Sequence, residues 1–307
     1  MPTPQPAILN RNMGEHQWYV HLSRVDGASL ATIKAVVRKL RQDCAAQNIN
    51  LVLGIGPTLL ADLTKDIPND FQPFETFKSI DGSGREAKGT QEELLFWMNS
   101  PHKDQIWKTQ WDARQALKGH MKVARETMTF IYGASLDMTG FIDGTGNPDP
   151  ASKDREVAIV PDGQPGAGGS FILAQRWVHD LEAWEKLPLA EQEGVFGRTK
   201  KDSTRLDKQP AHSHLSHVEL RQGATADASK PKREEITRRS TPYAFHDGTM
   251  GLYFMAFCKA QAPLRERLRA MYGIDGQVRD KLTDYSNPAS GSFYFAPSIE
   301  TLDAALA

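Results

Sequence analysis

The first half of the chain alternates between strand-like and helix-like patterns. From His16 to Val25, Trp18, Val20 and Leu22 fall on one side and Tyr19, His21 and Ser23 on the other, which predicts a half-buried strand. Apolar residues then recur at helical spacing from Leu30 to Cys44. The remaining predicted elements of this half are a strand at 51–55, a strand at 94–98, a helix at 104–121 and a strand at 127–132. The resulting order is β-α-β-β-α-β.

The second half repeats this order more loosely. Its predicted elements are strands at 156–160 and 170–178, a helix at 181–194, strands at 217–220 and 252–258, a helix at 263–272, a strand at 292–295 and a short terminal helix. Polar segments at 66–90, 202–210 and 221–235 predict surface loops, of which one of the last two could gate access to a site. The simplest architecture is an α+β fold of two ferredoxin-like halves, 1–136 and 137–307, resembling a dimeric α+β barrel. Helices would cover one face of each antiparallel sheet.

Composition and charge argue against several classes of function. Lys plus Arg number 37 against 38 for Asp plus Glu, and a net charge of -1 gives no electrostatic reason to expect a nucleic acid or an anionic membrane as partner. No run approaches the roughly 20 apolar residues of a membrane span, and the first six residues lack the parts of a signal peptide, so we expect a cytoplasmic protein. Cys44 and Cys258 lie in apolar periodic segments, which predicts two reduced core thiols.

One stretch combines a tight turn with an acid. In Gly140-Phe-Ile-Asp-Gly-Thr-Gly-Asn-Pro148, two apolar residues lead into Asp143, and glycines and a proline follow at once. An acid held against an apolar wall is suited to proton transfer, although Asp-Gly and Asn-Pro are also ordinary turn signals.

This stretch resembles the signature of the dye-decolourising peroxidases, haem enzymes with a distal aspartate in a Gly-x-x-Asp-Gly motif. The resemblance extends from the first strand to the segment 291–297 and is to the compact bacterial (B-type) branch. It implies haem b in residues 137–307. The chain contains no Cys-x-x-Cys-His, so we expect haem without thioether links.

A cluster of three imidazoles supplies the candidate iron ligand. His212, His214 and His217 lie within six positions, and such a run could also be a zinc site or three unrelated histidines. The family's ligand string resembles 213–218, which places His214 in the axial position and His217 where relatives often carry Arg. With strand alternation, His217 would face away from His214. The resemblance assigns Asp280 as the carboxylate beside the ligand, with Asp284 as the alternative.

The resemblance also assigns the opposite face of the haem. The segment 237–243 is similar to the family's distal arginine segment, with Arg238 and Ser240 on one side of a strand and Arg239 on the other. Arg198 would pair with a haem propionate. Leu252 and Phe254, two positions apart, would wall the distal pocket and are equally compatible with a plain core role.

These assignments imply a peroxidase that reduces hydrogen peroxide and oxidises dyes, phenolic or other one-electron donors through an oxoferryl intermediate. Asp143 would move the proton and Arg238 would stabilise charge. We expect a homo-oligomer, and bulky donors would react at the haem edge or at a surface residue among Trp107, Trp111, Trp177 and Tyr243. The alternatives are a haem-handling protein without efficient peroxide turnover and a structural zinc protein.

Overall fold

The structure is a computed structural model that describes residues 1–218 and 234–307. Within these ranges the strands are β1 (His16–Arg24), β2 (Asn50–Ile55), β3 (Phe77–Lys78), β4 (Glu86–Ala87), β5 (Leu94–Ser100), β6 (Met121–Phe130), β7 (Ser170–His179), β8 (Thr237–Arg238), β9 (Thr241–Ala244), β10 (Met250–Cys258), β11 (Ser286–Pro288) and β12 (Ser292–Ala296). The α-helices are α1 (Pro6–Leu9), α2 (Leu30–Ala46), α3 (Pro57–Leu63), α4 (Lys103–Ala116), α5 (Asp154–Ala158), α6 (Leu181–Glu185), α7 (Leu189–Phe196), α8 (His214–Val218), α9 (Ala262–Met271) and α10 (Ile299–Leu306). Short 3₁₀ turns lie at Ala151–Lys153 and Lys281–Asp284.

One large antiparallel sheet runs through both halves of the chain. Its strand order is β6-β1-β5-β2-β12-β7-β10-β8, with β11 beside β7 and β9 beside β10. If the main strands of each half are numbered along the chain, each half has the same spatial order, 4-1-3-2, as expected for ferredoxin-like units. Ile55 of β2 pairs with Phe295 of β12 and joins the two units. The predicted α+β class is therefore confirmed.

The sheet curls until its two ends approach each other. The hydroxyl of Thr129 on β6 lies 2.7 Å from that of Thr241 on β9. The outer face carries an apolar core against the helices, in which Ile33, Val37 and Leu40 of α2 are buried. The inner face is enclosed by the curled sheet with α1 and α5, and forms a second core.

Enclosure of the inner face corrects the prediction of a half-buried first strand. Trp18 and Val20 are buried on the outer side of β1, and Tyr19 and His21 are buried on the inner side. The alternation was read correctly, but the polar-looking side faces the inside of the curled sheet and not solvent.

Five other predicted elements differ, and one of them is β6, which begins six residues before the strand expected at 127–132. The helix expected at 104–121 ends at Ala116, because Gly119 adopts a left-handed backbone (φ +84°) and Met121 already begins β6. Pro188 divides the helix expected at 181–194 into α6 and α7. The strand expected at 156–160 is the short helix α5 in its first part, since a short apolar run does not distinguish strand from helix.

The strand expected at 217–220 is the fifth difference. Residues 217 and 218 end helix α8, while 219 and 220, like most of the predicted loop at 221–235, lie outside the described residues. Both cysteines are buried free thiols, as predicted. Among the described helices, none is long and apolar enough to cross a bilayer.

Candidate active site

A cavity of about 550 Å³ opens in the C-terminal half. More of its wall is apolar than polar, and its polar side chains come from strands and helices as well as from the loops around it. Strands β7 and β10 and helix α9 supply the apolar lining, which includes Leu173, Trp177, Leu252, Phe254, Leu264, Leu268 and Met271. Six residues selected from the sequence line this cavity: Asp143, Arg198, His214, Arg238, Leu252 and Phe254.

Asp143 is held by a tight hairpin. Its backbone N–H donates to the carbonyl of Ser135 at 2.8 Å, and Leu136 and Ile142 form a bridge inside the hairpin. Gly140 adopts a left-handed backbone (φ +83°) at the turn, a conformation that disfavours side chains. The turn thus fixes where the carboxylate of Asp143 enters the cavity.

Arg238 lies opposite this acid. One of its Nη atoms is 3.7 Å from an Oδ of Asp143, too far for a direct hydrogen bond, and both side chains are less than one-fifth exposed. Asn147 aligns the two segments, because its Oδ1 accepts the N–H of Arg238 at 2.8 Å and its Nδ2 donates to the carbonyl of Arg238 at 3.2 Å. The acid and the cation are therefore placed together while both keep capacity for a ligand.

On helix α8, His214 forms the other polar pair of the cavity. Its Nδ1 is 2.6 Å from Oδ2 of Asp280, which is fully buried. The second oxygen of Asp280 accepts the N–H of Leu282 at 2.9 Å, so the carboxylate is fixed on both sides. A carboxylate on Nδ1 sets the tautomer and leaves Nε2 with a lone pair, the arrangement typical of metal-binding histidines.

Comparison with known proteins assigns the family. The statistical model of the family described as "Dyp-type peroxidase, C-terminal" matches residues 134–301, more than half of the chain. The chain belongs to this family. A dye-decolorizing peroxidase of Mycobacterium tuberculosis is 28% identical over 280 residues, which are 90% of this chain and 81% of the relative.

Solved structures of similar proteins share the whole fold. A dye-decolorizing protein from V. cholerae has a TM-score of 0.84 at 29% identity and covers 97% of this chain and 98% of that chain. A variant of DypB from Rhodococcus jostii RHA1, solved in complex with heme, has a TM-score of 0.85 at 26% identity and covers 95% of each chain.

Not every residue predicted from the sequence lies at the cavity of this Dyp-type peroxidase. Ser240 is not among the described lining residues, and its hydroxyl accepts the N–H of Met255 at 3.4 Å. Asp284 pairs with Arg279 at 2.8 Å and not with His214. Arg239 points away from the cavity, as strand alternation predicts, and donates to Asp154 at 3.0 Å with both side chains 2% exposed.

The three histidines of the run do not form a shared metal site. In the described residues no group of three or more His, Cys, Asp or Glu side chains is placed to hold a metal ion, which contradicts the zinc alternative. His217 and His214 have different surroundings, but strand alternation is not the cause. The segment is helical, and His217 is 1% exposed with both ring nitrogens against backbone carbonyls.

A further polar chain at the cavity was not predicted. Nε2 of His179 lies 3.0 Å from Asp137, and its Nδ1 lies 2.7 Å from the hydroxyl of Ser286. Burial alone would raise the pKa of Asp137, but the imidazole and the hydrogen bonds from Thr139 outweigh burial and hold that pKa below its usual value. These residues lie far apart in the chain, and no local pattern connects them.

Proposed function

We propose that this chain is a haem b-dependent peroxidase that reduces hydrogen peroxide to water and oxidises dyes, phenolic compounds or other one-electron donors. One observation carries the proposal. One cavity is lined by His214, which is backed by the buried carboxylate of Asp280, and by Asp143 and Arg238, an acid and a cation 3.7 Å apart with no direct hydrogen bond between them.

The cavity fits a large, flat, mostly apolar group with a few oxygen atoms. Its volume lies within the range of cofactor pockets, and β7, β10 and α9 line it with aliphatic and aromatic side chains. Gln175 on β7 is one of the polar residues in the wall. It is 1% exposed, and its Nε2 finds no hydrogen-bond partner in the described part of the chain. Leaving such an amide unpaired costs on the order of 1–3 kcal/mol, so a polar atom of a bound group or of its water is expected there.

The residues around the cavity suggest how haem would be held. His214 would bind the iron, and Asp280 would raise the basicity of that imidazole. Arg198 would pair with a propionate, and Leu252 and Phe254 would limit access of water to the distal side. Ser240 remains a predicted contact. Heme in the R. jostii DypB variant supports the choice of cofactor.

Asp143 and Arg238 divide the work on the peroxide. The carboxylate of Asp143 accepts a proton from one peroxide oxygen and returns it to the other, which leaves as water. The guanidinium of Arg238 stabilises the negative charge that develops as the O–O bond breaks. Bound haem would supply the iron and the electrons for this reduction.

Stopped-flow absorbance of haem-loaded protein mixed with hydrogen peroxide tests the proposal. We expect Asp143→Asn and Arg238→Leu to keep the haem band but to slow the peroxide-dependent spectral change by roughly 10²–10³-fold, because each removes one positioned group. Asp162→Asn, at an exposed turn, is the matched control. Unchanged rates in both distal variants would contradict the roles assigned here. If the haem band of the unaltered protein does not change when peroxide is added, the result favours a haem-handling protein.

A further inference from the structure

The imidazole of His217 lies between two backbone carbonyl groups. Its Nδ1 is 2.7 Å from the carbonyl oxygen of Ser213, one turn earlier in the chain. Its Nε2 is 2.6 Å from the carbonyl oxygen of Val278, two residues before Asp280. The ring is 1% exposed, so water cannot replace either partner from outside.

Two carbonyl acceptors require a proton on each ring nitrogen, whereas two hydroxyls do not. His21 is equally buried, but its nitrogens lie 2.7 and 2.6 Å from the hydroxyls of Tyr294 and Tyr253. A hydroxyl can donate or accept, so a neutral imidazole with one N–H satisfies both contacts there. A carbonyl oxygen only accepts. A neutral His217 would therefore set a nitrogen lone pair against an oxygen lone pair at hydrogen-bonding distance.

We infer that His217 carries a proton on both ring nitrogens and, as a buried imidazolium, positions the His214–Asp280 pair. One N–H holds the turn that precedes His214, and the other holds the segment that leads into Asp280. The two segments are otherwise joined by the 2.6 Å contact of the pair itself and by the N–H of Lys281, which donates to the carbonyl of His212. His217 is thus a positioning residue that acts through His214.

The surroundings contain charges of both signs. Asp280 is a fully buried carboxylate on the segment that His217 holds, and Lys281 follows it. Arg279 is engaged by Asp81 and Asp284. From helix α9, Arg267 donates to the carbonyl of Val218 at 3.0 Å. Asp280, the fully buried anion of this group, lies two residues beyond the carbonyl that holds His217, and two carbonyl acceptors replace the hydration that a buried cation loses.

The protonation state is testable without haem. Long-range ¹⁵N–¹H correlation spectra of the cofactor-free full-length chain, labelled at histidine, report whether each ring nitrogen carries a proton. The His217 signals are assigned by their loss in His217→Arg. We expect both nitrogens of His217 to be protonated at neutral pH and one nitrogen of His21 to be unprotonated. A nitrogen of His217 that carries no proton would overturn the inference.

A second measurement tests whether His217 positions the His214–Asp280 pair. Arginine keeps the charge and several donors, whereas glutamine keeps only a neutral amide. In the same spectra we expect the His214 Nδ1–H signal, hydrogen-bonded to Asp280, to persist in His217→Arg and to be weakened or lost in His217→Gln. His212→Gln is the matched control on the same turn. If His217→Gln keeps the His214 signal of the unaltered protein, His217 does not position the pair.

The assignment of His214 as iron ligand rests on the proposed function, but the protonation of His217 does not. A protein with a doubly protonated His217 and no response to peroxide would refute the peroxidase alone. A responsive peroxidase with a neutral His217 would refute this inference alone. If both variants fail to fold, the spectrum of the unaltered chain still decides the protonation state, with His217 assigned through its backbone connectivity in uniformly ¹³C,¹⁵N-labelled protein.

Discussion

His21 makes the stability of this protein depend on pH in a way that one substitution can isolate. The imidazole lies on the inner face of the curled sheet, 1% exposed, between the hydroxyls of Tyr253 and Tyr294. Burial, together with the positive charges of Arg125 and Arg176, lowers the pKa of His21 to about 3. The folded protein therefore keeps this ring neutral through the mildly acidic range.

The magnitude follows from the difference between the folded and unfolded states. In the unfolded chain the imidazole binds a proton near its usual value of about 6.5, so below that pH the unfolded state binds more protons than the folded state. Below about pH 6.5 the free energy of unfolding falls by roughly 1.4 kcal/mol per pH unit. Because this slope applies over only about 1.5 of the two units, the loss between pH 7 and pH 5 is about 2 kcal/mol. The loss continues until the pH reaches the folded-state pKa.

Urea unfolding followed by tryptophan fluorescence at these two pH values measures the effect. We expect His21→Gln to be less stable than the unaltered protein at neutral pH, because the fit between the tyrosines is disturbed, but to lose about 2 kcal/mol less on acidification. The exposed His246→Gln is the matched control, since it removes an imidazole without opening the interior. An unchanged pH dependence in His21→Gln would refute the reasoning.

Three further predictions concern other parts of the molecule. Asp154→Asn should cost about 3–5 kcal/mol in urea unfolding, because it leaves a buried guanidinium without its anion. In haem-loaded protein, Asp280→Asn should raise the iron reduction potential measured by spectroelectrochemistry, because the imidazole loses its charged acceptor, whereas Asp284→Asn should leave the potential unchanged. The rings of Trp107 and Trp111 stack with centroids 5.9 Å apart, and the side chains are 47% and 41% exposed. Replacing both with phenylalanine should slow oxidation of a bulky dye in steady-state assays but leave oxidation of a small phenol unchanged.

The sequence predicted the fold best where hydrophobic periodicity was long. Strands β1, β7 and β10 and helices α2 and α9 lie within one or two residues of their predicted bounds, because a buried face of that length leaves a clear pattern. Among shorter segments, β2, β5 and β12 were also predicted within two residues, but others were misassigned. Helix α5 has five residues, and its apolar run suits either structure. The pairing of β2 with β12 was also not predictable, because contacts between distant strands leave no local pattern.

The residues of the candidate site were also predicted unequally well. Asp143, His214, Arg238 and Asp280 were selected because each lies in a short string that resembles a family motif, and the structure places all four at or directly behind one cavity. Ser240 was selected from the same kind of string and was placed beside Arg238 by strand alternation, which does not apply there because the chain leaves β8 at Arg238 before it enters β9 at Thr241. Periodicity predicts orientation only within an unbroken element.

The interactions that the sequence could not show are those whose partners are backbone atoms or distant side chains. Every residue supplies a carbonyl, so the acceptor that Val278 offers to His217 has no signature in the residue type. The chain formed by Asp137, His179 and Ser286 needs three segments to meet before any of its members can be distinguished from an ordinary polar residue. Motif strings therefore identify the groups that would touch the ligand, whereas the groups that hold them in place are found only from the folded backbone.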